Sequence, residues 1–463
     1  MMMKTKNKYS WLLILSVLLS ACNSFLGVDQ KGHIIPKYIE DYDQMLNDFQ
    51  GSVSNPLFMS PEVDQTETAF LQASMPDRKG YIWDGFQFLP GENDPDWNSL
   101  YSRIAVCNEI IEHVDEAEST TRNEVLRAVV KAQAYADRAK CYFALVNSYG
   151  KPYSPQNKAT LGVPLVLKND ILQVSERATV EDVYDKICKD LNIAVISAPR
   201  TVNIKANNRA SLQAVWAFKS KVFLFMNQID SAYNCIEKAF AISEPELYKY
   251  EEMYDPSQEN VWNANLLPRN YYEYKEIIWY GGLVSNLWGM RVFYTDELKA
   301  LYDLKNDYRY LMFASDLDNG TLKPYDKTRY YSRVSRTFAV SAAEMYLLRA
   351  ECHARKGDIE GAMSALETLR ISRFTSGYDC RLSASSQKDA IERVKEERLR
   401  ELAFTGMHWF DLRRYQAYGE SVPTYTRTIE GKTYTLEPGS NRYTLSIARY
   451  VIGKNPSIEQ NPR

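Results

Sequence analysis

Apolar positions recur at helical spacing over most of this chain, and the interruptions in that rhythm divide it. Glu124 to Tyr149 reads as one long alanine-rich amphipathic helix, and Val180 to Ser197 as a second, opened by Thr179 as a cap. Ser211 to Met226 with Ser231 to Ile242, and Ala343 to Lys356 with Ile359 to Arg370, read as two helix pairs. Their turns match: Gly357 and Asn227 can take the left-handed conformation that ends a helix, and Ala362 and Ala232 let the returning helix approach closely. This is the mechanics of a tetratricopeptide-type hairpin, at roughly 34 residues per unit. A generic helical bundle is the competing reading.

Two blocks lack the rhythm. Residues 51–97 and 244–337 are rich in Pro, Gly, Asn and aromatics, and read as long loops, which in a compact protein usually carry function. From Trp97 onward helical spacing returns, placing Trp97, Tyr101 and Ile104 on one face, so Trp97 is expected in the core. Tyr425 to Leu436 alternates around Glu430-Gly431-Lys432 and predicts a β-hairpin. The fold class expected is therefore mostly α: a tetratricopeptide-like repeat scaffold (about 98–243 and 338–415) with a large irregular region, a few short β-hairpins and a tail over 416–463.

The N-terminus reads as an address. Lys4, Lys6 and Lys8 precede an apolar run, Trp11 to Leu19, that is too short to span a bilayer as a helix. The run stops at Leu19-Ser20-Ala21-Cys22, which is similar to a bacterial lipoprotein cleavage box. Residues 1–21 are thus expected to be a signal peptide and Cys22 the lipidated first residue of the mature chain, with acyl chains inserted in a membrane.

A net charge of −3 gives no basic field for nucleic acid. Cys107, Cys141, Cys188, Cys235, Cys352 and Cys380 are widely spaced, so there is no CxxC or zinc-ligand pair; buried thiols are favoured over disulfides. Asp316-Leu317-Asp318-Asn319-Gly320 begins like a calcium loop, but its glycine falls one position early and Lys327 stands where the twelfth-place Glu belongs, so a plain turn is expected. No metal or cofactor is implied. The nucleophile, zinc, nucleotide and dinucleotide motifs of common enzymes are missing, and no pair of acidic residues is singled out, so a non-enzyme is expected.

The unusual component is aromatic. Tyrosine occurs 33 times, and it joins a flat apolar face to a polar tip. Trp83 in the first block, and Trp262, Tyr271, Tyr272, Tyr274, Trp279 and Trp288 in the second, are the candidate ligand-binding residues. Flat rings can stack on a pyranose while neighbouring Asn, Asp and Arg reach its hydroxyls. Core packing is the competing role for any one of them.

Glu392 to Tyr415 carries a dense motif: Glu397, Arg398, Glu401, Leu402, Phe404, Gly406, Trp409, Phe410, Asp411, Leu412 and Arg414. It strongly resembles the C-terminal signature of the SusD/RagB family, the nutrient-binding outer-membrane lipoproteins of Bacteroidetes. Thr405 stands where Glu is usual, and Met407-His408 replaces a pair that usually ends in Arg. Other segments resemble the family in its order, from the CNSFLGVDQ start to the tail ending in Gln460-Asn461-Pro462, where Ser446 stands in place of an expected Pro. The resemblance implies that the signature is a structural junction, that loops bind an oligosaccharide, and that a SusC-like TonB-dependent transporter receives it. A peptide cargo, as in the RagB branch, and a repeat scaffold for protein partners are the alternatives.

Overall fold

The computed structural model describes residues 36–47, 53–54, 56–120, 124–170, 174–255, 257, 267–268, 270–282, 291–318, 321–330 and 337–463. Its long helices are α1 (Pro95–His113), α2 (Glu124–Tyr149), α3 (Val180–Ser197), α4 (Leu212–Phe225), α5 (Ile229–Ile242), α6 (Ala342–Lys356), α7 (Ile359–Ile371), α8 (Gln387–Leu402) and α9 (Met407–Ala417). Each packs on the one before it in the chain, and α8 also packs on α6, so the fold is mostly helical as the periodicity predicts. Starts are set by side-chain caps: Thr179, Ser211, Ser341 and Ser386 accept from the backbone N–H of Asp182, Ala214, Glu344 and Asp389. The turns of α4–α5 and α6–α7 are made as expected, with Asn227 at φ 58° and Gly357 at φ 85°.

Small residues let these helices close up. On α2, Ala132, Ala134, Ala136, Ala139 and Ala144 are buried, and Phe143 meets Phe218 of α4 edge to face at 5.3 Å. Trp97 lies in this core, 6% exposed, between Tyr101 and Tyr149. The six cysteines of the described residues are all unbonded thiols, and every one except Cys188 is fully buried.

The two blocks expected as loops are more ordered than their composition implies. The first holds short helices at Pro56–Met59, Glu67–Gln72 and Met75–Tyr81, the last two capped by Thr66 and Ser74. Each is too short to show a repeating apolar face, which is why periodicity missed them. The second contributes helices Tyr250–Met253, Asp296–Ala300 and Tyr308–Phe313 and four of the ten strands among the described residues. The strands are β1 (Val63–Asp64), β2 (Leu161–Pro164), β3 (Arg177–Thr179), β4 (Ile277–Trp279), β5 (Phe293–Tyr294), β6 (Ala314–Asp318), β7 (Thr321–Tyr330), β8 (Val340–Ser341), β9 (Tyr425–Ile429) and β10 (Lys432–Leu436). Asp316 to Asp318, expected in a turn, extend β6; Asn319 and Gly320 lie outside the described residues. The predicted hairpin is β9–β10, with Glu430 and Gly431 at positive φ in its turn.

An antiparallel sheet in the order β1-β5-β7-β6 ties the first block to the second through Val63↔Tyr294 and Asp64↔Phe293. Around it sits a second core, rich in tyrosine: Tyr248, Tyr250, Tyr274, Tyr280, Tyr294, Tyr302, Tyr308 and Tyr330 are all buried there. Much of the surplus tyrosine is therefore interior. Its hydroxyls are satisfied locally, as where Tyr302 donates to Arg400 O at 2.7 Å and Tyr250 meets Tyr274 at 3.2 Å.

The signature stretch joins the two cores. Trp409 and Phe410 enter the helical core, while Phe404 stacks on Tyr330 of the second core at 4.1 Å. Between them lies a buried ionic junction. Glu397 accepts from Arg309 at 2.6 Å and also from Arg370 and Arg400; Glu401 and Glu276 hold Arg373 at 2.9 and 2.8 Å. On the α9 side, Arg414 forks onto Glu351 at 2.6 and 2.7 Å and reaches Asp411 at 2.8 Å, which also takes Arg398. Burial alone raises the Glu351 and Glu397 carboxyls, but the surrounding guanidiniums overcome it and hold both well below the carboxylate range. Burial dominates at Glu276, which is pushed up despite Arg373.

Candidate ligand-binding site

Trp83, Trp279 and Tyr274 need correcting first. Trp83 and Trp279 have no exposed surface and Tyr274 is 3% exposed, so none offers a face to a ligand. Trp83 donates its indole N–H to Met59 O at 2.8 Å, and Trp279 donates to Asn208 O at 3.2 Å under the ammonium of Lys140. Sequence cannot separate such rings from platforms, because a core that closes over a short loop segment uses the same residue types. Trp262, Trp288 and Cys22 lie outside the described residues. Tyr271 and Tyr272 stay accessible: Tyr272 is 37% exposed and meets Tyr271 edge to face, and Tyr271 lies flat on Tyr280 at 4.2 Å. Asn207 fixes the backbone under them by donating to Tyr271 O.

The two blocks come together at a cleft of about 590 Å³, between residues 61–64, the start of Asp296–Ala300, β7 and β9. One residue shapes it. Arg427 of β9 is buried with its guanidinium 4.2 Å from the Tyr81 ring and 4.4 Å from Trp83, and it donates to Phe58 O at 2.8 Å, Ser60 O at 2.6 Å, Val63 O at 2.9 Å and Tyr81 O. Desolvation lowers its pKa to about 10. It is a clamp that straps the first block to the C-terminal hairpin. Trp83 thus serves the cleft from behind its wall, by bracing the clamp.

The lining is largely polar. Tyr81 donates its hydroxyl to Asp64 Oδ1 at 2.8 Å, and Lys327 of β7 pairs with the other oxygen of Asp64. Glu62 is buried; its Oε2 accepts from Ser60 Oγ at 2.5 Å, and its Oε1 has no hydrogen-bond partner among the described residues. Asp296 and Glu297 stand exposed on one rim, Thr424 and Thr426 on the other, and half-buried Tyr425 and His408 complete the wall. Carboxylates, hydroxyls, one ammonium and a phenol ring on a concave surface suit a ligand carrying many hydroxyls, each both donor and acceptor. Among the described residues no group of three or more His, Cys, Asp or Glu is placed to hold a metal. Sequence reasoning missed Glu62, Asp64, Lys327 and Tyr425: the pairing of β1 with β5 and of β5 with β7 brings the first three together, and the Arg427 clamp sets Tyr425 of β9 beside them.

The family model described as "Starch-binding associating with outer membrane" matches residues 30–224, and the model described as "SusD family" matches residues 306–463. The chain belongs to the SusD family. Solved structures of SusD relatives carry the same fold. A SusD superfamily protein from Bacteroides thetaiotaomicron VPI-5482 superposes with a TM-score of 0.70 at 19% identity, over 92% of this chain and 100% of that one. A SusD-like carbohydrate binding protein from Bacteroides vulgatus ATCC 8482 gives 0.66 at 18% identity, over 91% and 97%. A second SusD superfamily protein from that organism gives 0.70 at 18%, over 92% and 99%. No curated protein sequence matches this SusD-family chain. Among the described residues no helix is long and apolar enough to cross a membrane.

Proposed function

We propose that this SusD-family protein captures a neutral oligosaccharide at the outer membrane and passes it, unaltered, to a TonB-dependent transporter. The observation that carries the reading is the cleft where both loop-rich blocks meet, in a chain whose family includes a carbohydrate binding protein of the same fold. Asp64, Glu297 and Lys327 would take the sugar hydroxyls and Tyr425 a ring face, while Tyr271 and Tyr272 offer a second stacking surface. Carboxylates outnumber cations on the lining, which favours uncharged sugars over acidic ones. Binding is non-covalent and of moderate affinity, since delivery requires release. Acylation of Cys22 anchors the protein, and replacing Cys22 with Ser is expected to release it from the membrane fraction.

The test is calorimetric titration of the protein against polysaccharides and peptides, repeated with Glu297→Gln and Tyr425→Ala. Saturable binding of one neutral glycan, weakened about tenfold or more by either change, supports the reading. Binding of that glycan unaltered by both changes removes the cleft from it, binding only of peptides replaces the cargo, and silence across both panels leaves the repeat scaffold as the better account.

A further inference from the structure

Arg413 sits between Leu412 and Arg414 on α9 but shares none of their partners. Its neighbour Arg414 is fully paired in the ionic junction, whereas Arg413 turns to the other side of the helix, where it is 2% exposed. There it lines a hollow of about 620 Å³ between the loop after α2, the end of α9 and residues 439–444. Its Nη2 donates to Gly150 O and, at 3.5 Å, to Thr444 Oγ1. Its Nε and Nη1 are buried and meet no acceptor among the described residues.

The surroundings repeat that imbalance. The buried hydroxyl of Tyr443, which also lines the hollow, has no partner among the described residues, and neither has the indole N–H of Trp409, stacked on Tyr443 at 4.9 Å. Lys151 adds a second cation to the lining, and no Asp or Glu lines it. A guanidinium buried without a carboxylate is strongly disfavoured, and desolvation lowers the pKa of Arg413 to about 10. Arg413, Tyr443 and Lys151 border one hollow whose lining, among the described residues, supplies no negative charge. The missing element is an anionic acceptor.

We propose that this hollow binds a compact oxyanion, a carboxylate, sulfate or phosphate group either free or at the end of an acidic saccharide. The unpaired guanidinium N–H groups of Arg413 and the Tyr443 hydroxyl donate to it, and Lys151 adds attraction at the mouth. The lining shares no residue with the cleft, so this site stands whether or not the cleft binds glycan.

The test is thermal unfolding of the full chain in sodium chloride, with phosphate, sulfate, glucuronate or glucose added at constant ionic strength. A saturable rise in Tm with at least one oxyanion, and none with glucose, is expected; tighter apparent binding of glucuronate than of phosphate points to an acidic sugar, and the reverse order to a free ion. Arg413→Met is expected to abolish the rise while leaving Tm in chloride unchanged or higher, because no cation remains buried. Tyr443→Phe, which keeps the ring, is expected to weaken the anion about tenfold. No rise in the wild-type protein beyond that of chloride overturns the proposal, as does a rise that survives Tyr443→Phe and Arg413→Met, or survives Tyr443→Phe where Arg413→Met does not fold.

Discussion

The ionic junction under α8 and α9 and the cleft above β1 are built from the same residue types, yet they spend their charges differently. In the junction, Glu397, Glu351 and Asp411 are each ringed by arginines, and the partners come from several elements of the chain. In the cleft, Glu62 keeps one carboxylate oxygen without a partner among the described residues, and Asp64 meets one ammonium, a phenol and the Gln65 backbone N–H. Saturated charge locks elements together and has nothing left for a ligand. Unsaturated charge beside a hollow is capacity for binding.

On that contrast, the largest effect follows from breaking the junction. Glu397→Ala leaves the buried guanidiniums of Arg309, Arg370 and Arg400 short of a shared partner, and about 3–5 kcal/mol of stability is expected to be lost; urea unfolding measures it, and a loss under 1 kcal/mol would mean that the junction is no lock. Acid attacks the same place more gradually. The folded-state pKa values of Glu351 and Glu397 are depressed, so the unfolded chain, with carboxyls near the ordinary value of about 4.3, takes up protons first as pH falls. The stability these groups supply is fully present above about pH 5 and lost progressively below about pH 4, which a Tm series across that range would trace.

A smaller effect is expected at Gly406. Its φ of 75° is left-handed, and an added Cβ would lie 3.2 Å from the backbone N of Leu57. Gly406→Ala is therefore expected to cost about 1–3 kcal/mol, measured by the same unfolding, and to loosen the helix Pro56–Met59 that carries one wall of the cleft toward Arg427. The smallest stability effects belong to the binding surfaces: Glu297→Gln and Tyr272→Ala are each expected to move stability by no more than about 0.5 kcal/mol while weakening glycan binding. A large stability loss in either would make that surface part of the framework and erase the contrast.

Much of the framework was legible in the chain. Glu124–Tyr149 and Val180–Ser197 begin and end where apolar spacing and the Thr179 cap place them, and both hairpin turns use the left-handed residue picked out for that role. The signature stretch was legible as a junction because its residues carry the family motif. The site was far less so. Of the seven aromatics singled out, Tyr271 and Tyr272 are accessible and Trp83, Tyr274 and Trp279 are enclosed, while Trp262 and Trp288 lie outside the described residues.

The division has a physical reason. Helix spacing, caps and turn residues act over a few neighbouring positions, so a local reading of the chain captures them, and the helical scaffold was determined there. Whether a tryptophan is a wall or a platform depends on what covers it, and whether an arginine is paired depends on carboxylates tens or hundreds of residues away. Arg413 and Arg414 are adjacent in sequence and chemically identical; only the tertiary structure decided that Arg414 would be locked to Glu351 and that Arg413 would border a hollow with no carboxylate among its described lining residues.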